Sequence, residues 1–315
     1  MLSFFPTLYP DELLYSALAR YHIRSGNKSF RQTDIELFGF HSQQLSKVTL
    51  TNNLNYLVNN LPFYSRKRVD HLLCNHTLYP FYASFLTQQE IFLLGDSIKK
   101  KFHGSVFEIA KLSLKSTGNE KKFLKFCPVC LEEEIQQYGE PYWHRSHQIP
   151  GIYVCLNHNS FLHDSTVMIE TKGIHYHAAS SENCLRSDSQ FSDSYQTLTQ
   201  LLILAKDIEW LISSNFCFQG LSWLRNQYQS YLIKREFLTV LPGNKLKLHE
   251  TELCQSIFEM YSQDFLSIVN INFIRNPAKY LSHCLLACDV NPVIDRITHI
   301  LMIKFLANSL EWFFI

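Results

Sequence analysis

Residues 126–158 read FCPVCLEEEIQQYGEPYWHRSHQIPGIYVCLNH, and this stretch determines how the chain is organised. It contains two pairs of candidate metal ligands, Cys127 with Cys130 and Cys155 with His158, and two residues separate the members of each pair. Thiolate and imidazole groups are the usual donors of tetrahedral zinc sites, and this spacing lets a tight turn direct both members at one ion. The sequence therefore predicts one Zn²⁺ held by these four side chains.

Four protein ligands complete a tetrahedral shell and leave no position for water or substrate, which indicates a structural ion. Alternative ligands lie nearby in the sequence: His144, His147 and His163. His158 is preferred because Cys155-x-x-His158 repeats the gap of the first pair. Cys184 with His175 and His177 has irregular spacing, so it is only a weak indication of a second metal site.

The nine cysteines are an odd number, and Met1–Pro6 lacks the basic segment of a secretory signal peptide. We therefore expect an intracellular chain without a disulfide framework. No uninterrupted apolar run reaches about 18 residues, so no transmembrane helix is predicted. The cysteines outside the ligand pairs are interpreted as core thiols, apart from Cys184: Cys74, Cys217, Cys254, Cys284 and Cys288.

Chain-breaking residues are rare, since the 315 residues include only 10 glycines and 10 prolines. All-β folds need many turns, so this composition predicts a mainly α-helical protein. Short helices with tight connections suit a helix-turn-helix-like N-terminal domain, although ordinary helical packing gives the same pattern. The predicted layout is an N-terminal helical domain at 1–122, a small zinc-binding module at 123–178, a linker at 179–194 and a C-terminal helical domain at 195–315.

Some helix boundaries follow from local signals. Pro10 followed by the acidic Asp11 and Glu12 predicts that the first helix begins there, and Gly26 predicts its end. The C-terminal domain is expected to contain a turn at 242–244 and further helices near 250–272, 276–288 and 292–313.

The net charge is only +1, from 29 basic and 28 acidic residues, so the chain as a whole is not strongly charged. Residues 99–125, however, contain eight lysines and two glutamates, and residues 142–151 interleave aromatic and basic side chains. A solvated surface and a small packed module explain these patterns as readily as nucleic acid does. The DNA hypothesis places four side chains near a DNA backbone: Lys121, Lys122, Lys125 and Arg145.

Common catalytic signatures are absent from the sequence. There is no G-x-x-x-x-G-K-[ST] loop, no H-E-x-x-H, no G-x-S-x-G, and no H-x-E combined with P-C-x-x-C. The acidic residues are too scattered to indicate a two-metal nuclease site. We therefore expect a protein that is not an enzyme and has no catalytic residues.

Several segments resemble the TniQ/TnsD family of transposon target-site selection proteins. They are FPTLYPDELLYS at 5–16 with Arg20, HTLYPFY at 76–82, the zinc segments at 126–130, 138–151 and 154–158, and HILMIKFL at 299–306. The resemblance covers most of the chain and is most specific over residues 1–165. Longer members that read DNA continue past the last segment with further helical domains, whereas this sequence ends at Ile315.

The resemblance implies a non-enzymatic adaptor in the bacterial cytoplasm, associated with the nucleoid. Such an adaptor binds double-stranded target DNA or joins a CRISPR effector complex with its guide RNA, and it recruits an AAA+ ATPase and, through it, the transposase. The sequence leaves two alternatives open, a zinc-containing transcription regulator and a metalloenzyme with an open metal position.

The resemblance is densest at the N-terminus, which is therefore the expected contact region for the ATPase. The predicted partner-binding residues are Tyr9, Asp11, Glu12, Tyr15 and Arg20. The apolar residues Leu13, Leu14, Ala17 and Leu18 explain much of the same helix by core packing, and one helix can serve both roles on different faces.

Overall fold

A computed structural model describes residues 1–41, 48, 50–51, 53–101, 106–112, 123–169, 175–185, 194–214, 216, 218–269, 274, 277 and 294–314. The chain is mainly α-helical, as its composition predicts. It divides into two compact units, residues 1–83 with 89–190 and residues 84–88 with 191–315. The boundaries predicted for the zinc module and the linker remain predictions. None of the described helices is both long and apolar enough to cross a membrane.

The N-terminal unit begins with short helices around a core of leucine and aromatic side chains. Their bounds are α1 (Leu14–Ser25), α2 (Phe30–Phe38), α3 (Leu54–Asn60), a 3₁₀ turn (Phe63–Ser65), α4 (Val69–His76), α5 (Tyr79–Ala83), α6 (Gln88–Lys99) and α7 (Val106–Ile109). Gly26 ends α1 with φ 71°, a left-handed conformation that glycine adopts without strain. The Ser29 side chain accepts a hydrogen bond from the Gln32 backbone and thereby caps α2.

The predicted start of the first helix is wrong. Asp11 has φ 51°, and Glu12 forms an isolated antiparallel β-bridge with His144, so both residues precede α1. Their carboxylates therefore do not stabilise the first turn of a helix. The Asp11 carboxylate instead binds Arg145 and Ser146, and the Glu12 carboxylate binds Arg20.

The cysteine-containing segment is built on two small antiparallel ladders and one helix. Strand β1 (Phe123–Phe126) pairs with β4 (His163–Met168), and β2 (Val154–Cys155) pairs with β3 (Ser160–Phe161). Helix α8 (Pro128–Tyr138) follows β1 directly, with a proline in its first turn and Gly139 at φ 79° as its end. This order brings the start of α8 and the β2–β3 hairpin together.

The C-terminal unit is helical apart from one hairpin. It contains α9 (Tyr195–Ser213), α10 (Leu221–Lys234), β5 (Leu238–Leu241), β6 (Lys245–Leu248), α11 (Glu250–Met260), α12 (Gln263–Val269), α13 (Arg296–Ala307) and α14 (Leu310–Phe314). The predicted helix at 250–272 is interrupted at Tyr261 and Ser262, and the one predicted at 276–288 lies almost wholly outside the described residues. Inside the unit the Tyr228 hydroxyl lies 2.9 Å from Nδ1 of His299, and burial lowers the pKa of His299 to about 4.

Helix α1 offers a direct test of the N-terminal core. Leu18 is fully buried, whereas Ile23 on the same helix is exposed. We expect Leu18→Ala to lower the free energy of unfolding by about 2–5 kcal/mol, because it leaves a cavity, and Ile23→Ala to change it by less than about 0.5 kcal/mol. Urea unfolding followed by circular dichroism measures both, and equal losses in the two variants would contradict this placement of α1.

Candidate metal centre and its attachment to the N-terminal helix

The four predicted ligands converge at one point. Cys127 precedes α8, Cys130 lies in its first turn, Cys155 ends β2, and His158 lies in the turn between β2 and β3. Their donor atoms all lie within 4.8 Å of one another, and the three cysteines are buried. The cluster can therefore hold a metal ion.

The distances between donors fit a tetrahedral ion. Nδ1 of His158 lies 3.5, 3.3 and 3.5 Å from the sulfurs of Cys127, Cys130 and Cys155, and the Cys130 and Cys155 sulfurs are 3.7 Å apart. Metal–sulfur bonds of about 2.3 Å and a metal–nitrogen bond of about 2.0–2.1 Å give tetrahedral edges of about 3.8 Å (S–S) and 3.6 Å (S–N). The donor set therefore fits such an ion in both chemistry and size.

Neighbouring groups orient the donors. Nε2 of His158 lies 3.3 Å from a Glu133 carboxylate oxygen, and a carboxylate in this position fixes which nitrogen faces the ion. The Ser160 hydroxyl lies 3.7 Å from the Cys127 sulfur. Hydrogen bonds from the Cys130 and Cys155 thiols lower the pKa of Cys127, and the bond to Cys127 raises the pKa of Cys155 to about 11. A metal ion binding here displaces the shared protons.

The alternative histidines have other surroundings. Burial lowers the pKa of His147 to about 3, so this ring is neutral, and it packs against the ring of His144. The ring of His163 lies against Phe126. A second group of donors, Cys130, Glu134 and His144, also lies within 4.8 Å, but it shares Cys130 with the first. Among the described residues, Cys184, His175 and His177 do not form such a group.

The thiols outside the ligand pairs differ from one another. Cys184 is buried, as a core thiol should be, and Cys254 is half-buried. Cys74 is exposed, so its interpretation as a core thiol is wrong. Leu72 and Leu73 face the core in its place, which turns Cys74 outward at the end of α4. Cys217, Cys284 and Cys288 lie outside the described residues.

Arg20 on α1 forms one ion pair with Glu12, before the helix, and a second one with Glu140, after the end of α8. Nη1 of Arg20 donates to both carboxylate oxygens of Glu12, at 2.9 and 3.0 Å, and these side chains are 3% and 0% exposed. The same guanidinium donates from Nε and Nη2 to Glu140, which follows the end of α8. Burial raises the pKa of Glu12 and Arg20 opposes that shift. Arg20 therefore holds together two carboxylates that lie 128 residues apart in the sequence.

Tyr9 and Arg24 complete this network. The Tyr9 hydroxyl donates to Glu140 at 2.9 Å, and the Arg20 guanidinium lies 4.1 Å from the centre of the Tyr9 ring. Arg24 also binds Glu140, but its side chain is 46% exposed. The Tyr15 hydroxyl donates to the His175 carbonyl at 2.9 Å and accepts from the His177 backbone.

A second charged group ties the chain before α1 to the loop after α8. His144 lies between Glu134, which is bonded to Nε2, and Asp11, 3.6 Å from Nδ1. Burial disfavours the charged ring, but hydrogen bonds to Asp11 and Glu134 outweigh it and raise the pKa of His144 to about 9. Asp11 also accepts from Arg145 and Ser146. Burial raises the pKa of Asp11, but the hydrogen bonds with His144 and Ser146 and the charge of Arg145 outweigh burial and hold this pKa well below its usual range.

The predicted DNA-binding residues have unequal surroundings. The Lys125 ammonium donates to the Ile152 carbonyl at 2.9 Å and lies over the Tyr153 ring. Arg145 binds Asp11 and the Cys74 carbonyl, and its side chain is largely covered. Lys121 and Lys122 lie outside the described residues. The role of all four in DNA binding stays a prediction.

The predicted partner-binding residues all make contacts within the chain. Glu12, Tyr15 and Arg20 are buried, while Tyr9 and Asp11 are half-buried. Their contact with an ATPase stays a prediction. In the structure Tyr9 and Arg20 bind Glu140 and Asp11 binds Arg145, so these residues hold the segment that carries the donor cluster. Sequence reasoning missed Glu140, which binds Tyr9 and Arg20 from 131 and 120 residues away, so no local pattern marks it. It also missed Glu134, which binds His144, Ser16, which accepts from the Trp143 backbone, and Gln148, which donates to the His144 carbonyl.

Fold and site together define a mainly helical protein with a four-donor cluster that can hold a metal ion. The sequence profile of the TniQ family matches residues 3–162, and the profile described as Tn7-like transposition protein D matches residues 204–315. The chain therefore belongs to the TniQ/TnsD family.

One curated relative is the transposon Tn7 transposition protein TnsD of Escherichia coli. It is 26% identical over 158 residues, which are 50% of this chain and 31% of the relative. The match thus spans about a third of the length of the relative.

The two arginines that bind Glu140 form a matched pair for mutagenesis. We expect Arg20→Ala to lower the free energy of unfolding by about 3–5 kcal/mol, because it leaves the Glu12 charge buried without its partner. Arg24→Ala removes a solvent-exposed contact and should cost at most about 1 kcal/mol.

The double variant Glu12→Gln/Arg20→Met removes both buried charges and should be more stable than Arg20→Ala. Chemical unfolding of the variants at the same pH and salt measures these differences. Equal losses for the two single arginine variants would contradict the buried-pair assignment.

Proposed function

We propose that this chain is a target-site selection adaptor for DNA transposition. The supporting observation is that the TniQ and TnsD matches follow each other along a single chain, at 3–162 and 204–315. The curated relative is by name a transposition protein. In this role the chain carries out no chemistry itself.

The proposed partners follow from the same assignment. The chain binds double-stranded target DNA directly or joins a CRISPR effector complex with its guide RNA. It then recruits an AAA+ ATPase, which brings the transposase. The sequence contains no phosphate-binding loop, which is consistent with leaving nucleotide hydrolysis to a partner.

We assign the metal as Zn²⁺, bound by Cys127, Cys130, Cys155 and His158. Three thiolates and one imidazole form a donor set that suits zinc, and four protein ligands suit a structural ion. When bound, the ion crosslinks the start of α8 to the β2–β3 hairpin. Helix α8 has few other anchors, since its buried residues are Pro128, Cys130 and Glu134.

Metal analysis tests this assignment. Protein purified without chelator should contain about one zinc per chain, and Cys130→Ser should contain less than half as much. The exposed Cys74 supplies the control, because Cys74→Ser removes a thiol without touching the cluster. Zinc removal should increase amide hydrogen exchange over residues 126–165. A wild-type chain with less than half a zinc would rule out the site.

Salt dependence of duplex binding tests the predicted DNA contacts. Each lost phosphate contact lowers the slope of log K against log salt by about 0.9, so Lys121→Gln/Lys122→Gln should lower it by about 1.8. Lys125→Gln should lower it less, because the ammonium is already held by the Ile152 carbonyl. Lys206→Gln/Lys247→Gln, on α9 and β6, serves as the charge-matched control. An unchanged slope in the Lys121/Lys122 variant would place the DNA surface elsewhere.

A transposition reaction tests the proposed function as a whole. It contains donor DNA, a target plasmid, and the transposase and AAA+ ATPase of the same transposon, with or without this chain. We expect the chain to concentrate insertions at a defined site and to be retained on the immobilised ATPase. Unchanged insertion positions together with no retention would reject the adaptor role. Tight binding to an operator without any ATPase would instead support the transcription regulator.

A further inference from the structure

An open groove lies beside the start of α4 in the N-terminal unit. Its volume is about 630 Å³, and its charged lining residues are Arg66, Lys67, Arg68, Asp70 and Lys99. Four of these five are basic in a chain whose net charge is only +1. The groove is therefore a local concentration of positive charge.

The acidic group in the groove is already neutralised. A carboxylate oxygen of Asp70 lies 2.5 Å from the Lys99 ammonium. Arg66 donates to the Asn59 carbonyl at 3.3 Å, but this contact is exposed and leaves the guanidinium charge intact. Arg66, Lys67 and Arg68 are all exposed, so three successive positive charges face solvent at the edge of the groove.

Two aromatic side chains stand next to these charges. Phe63 is 83% exposed and Tyr64 is 71% exposed, although both belong to a well-anchored 3₁₀ turn. Leu61 and Pro62 before the turn are buried, and the Ser65 hydroxyl donates to the Phe5 carbonyl at 3.3 Å. The Arg66 guanidinium lies 5.8 Å from the centre of the Phe63 ring. The backbone therefore holds the two rings outward beside the cations.

We propose that Phe63, Tyr64, Arg66, Lys67 and Arg68 form a binding surface for single-stranded nucleic acid. Proteins that bind single strands combine a basic groove that follows the phosphates with exposed aromatic rings on which bases stack. A paired duplex keeps its bases stacked on one another, so it offers such rings little to bind. An acidic peptide matches the charges, but its carboxylate side chains do not stack on the rings as nucleic-acid bases do.

This inference goes beyond the proposed function, because it concerns binding by the chain alone. It also rests on residues other than the predicted DNA-contact residues Lys121, Lys122, Lys125 and Arg145. A failure of the transposition reaction therefore leaves it standing, and its own failure leaves the adaptor role standing.

Fluorescence anisotropy with a labelled single strand of about 20 nucleotides tests the surface on the full chain, with the matching duplex as a second probe. We expect Phe63→Ala/Tyr64→Ala to weaken single-strand binding at least about tenfold without changing the salt slope, because stacking carries no charge. Arg66→Gln/Lys67→Gln/Arg68→Gln should lower the slope by about 2, or about 0.7 per lost contact. Ultraviolet crosslinking to bromouracil in the strand should map to residues 63–64.

Matched controls separate this surface from general charge and exposure. Phe92→Ala removes another exposed aromatic ring, on α6, and Lys206→Gln/Lys247→Gln removes two charges elsewhere. Both should bind the single strand as the wild type does. Phe63→Leu/Tyr64→Leu keeps the apolar character but loses the flat rings, so it should weaken binding as alanine does while circular dichroism stays unchanged.

Four results would overturn the proposal. The first is wild-type affinity in the aromatic variants, and the second is an equal loss in the controls. The third is a loss of duplex affinity in the aromatic variants as large as their loss of single-strand affinity, and the fourth is competition by polyglutamate as strong as that by the unlabelled single strand. Either of the last two would assign the surface to another partner.

Discussion

Helix α8 has few buried side chains, so polar contacts decide how the helix and the donor cluster at its start are held in place. The buried residues of α8 are Pro128, Cys130 and Glu134, and its half-buried Tyr138 stacks on Tyr9 with ring centres 4.4 Å apart. The candidate donors Cys127 and Cys130 lie at its start, and Glu140, which binds Arg20, follows its end. Both attachments are polar, and both bring groups together that are costly to bury apart. Polar contacts therefore contribute more to the position of α8 than hydrophobic packing does.

The need for polar contacts explains why two acidic residues, Asp11 and Glu12, lie directly before α1. Asp11 binds His144 and Arg145 in the loop after α8, while the adjacent carboxylate of Glu12 binds Arg20 in α1. The backbone repeats the pattern, because Leu13 donates to the Trp143 carbonyl and Arg145 donates to the Asp11 carbonyl. Residues 11–16 therefore bind the loop after α8 through both backbone and side-chain hydrogen bonds. The segment that carries the four-donor cluster and the first helices consequently belong to the same compact unit.

The sequence predicted what short spacings determine and missed what distant partners determine. The two ligand pairs lie within turns, so their spacing was enough to predict that all four donors meet. The apolar repeat of α1 likewise predicted the burial of Leu14, Ala17 and Leu18, but the residues between and after them, among them Tyr15 and Arg20, are buried as well. The burial of Glu12 and Arg20 was not predictable, because charged residues are usually exposed and Glu140, the second partner of Arg20, is remote in sequence. The β5–β6 hairpin was predicted only as a turn, although Leu238, Val240, Leu246 and Leu248 pair on one of its faces. Each strand is four residues long, which is the shortest length over which an alternating pattern indicates a strand.

Residue type alone also fails to separate a nucleic-acid surface from a packed module. Residues 142–145 combine two aromatic rings with a basic side chain, yet Trp143 is fully buried, donates to the His177 carbonyl and fills the interior. Residues 63–68 contain the same kinds of side chain and gave no distinct signal in the sequence. In this segment a 3₁₀ turn is held by the hydrogen bond from the Ser65 hydroxyl to the Phe5 carbonyl, and the rings of Phe63 and Tyr64 are exposed. The same residue types therefore pack in the interior at one site and form the surface proposed for recognition at the other. The two cases differ in the exposure of the rings, which is 0% for Trp143 and 83% for Phe63.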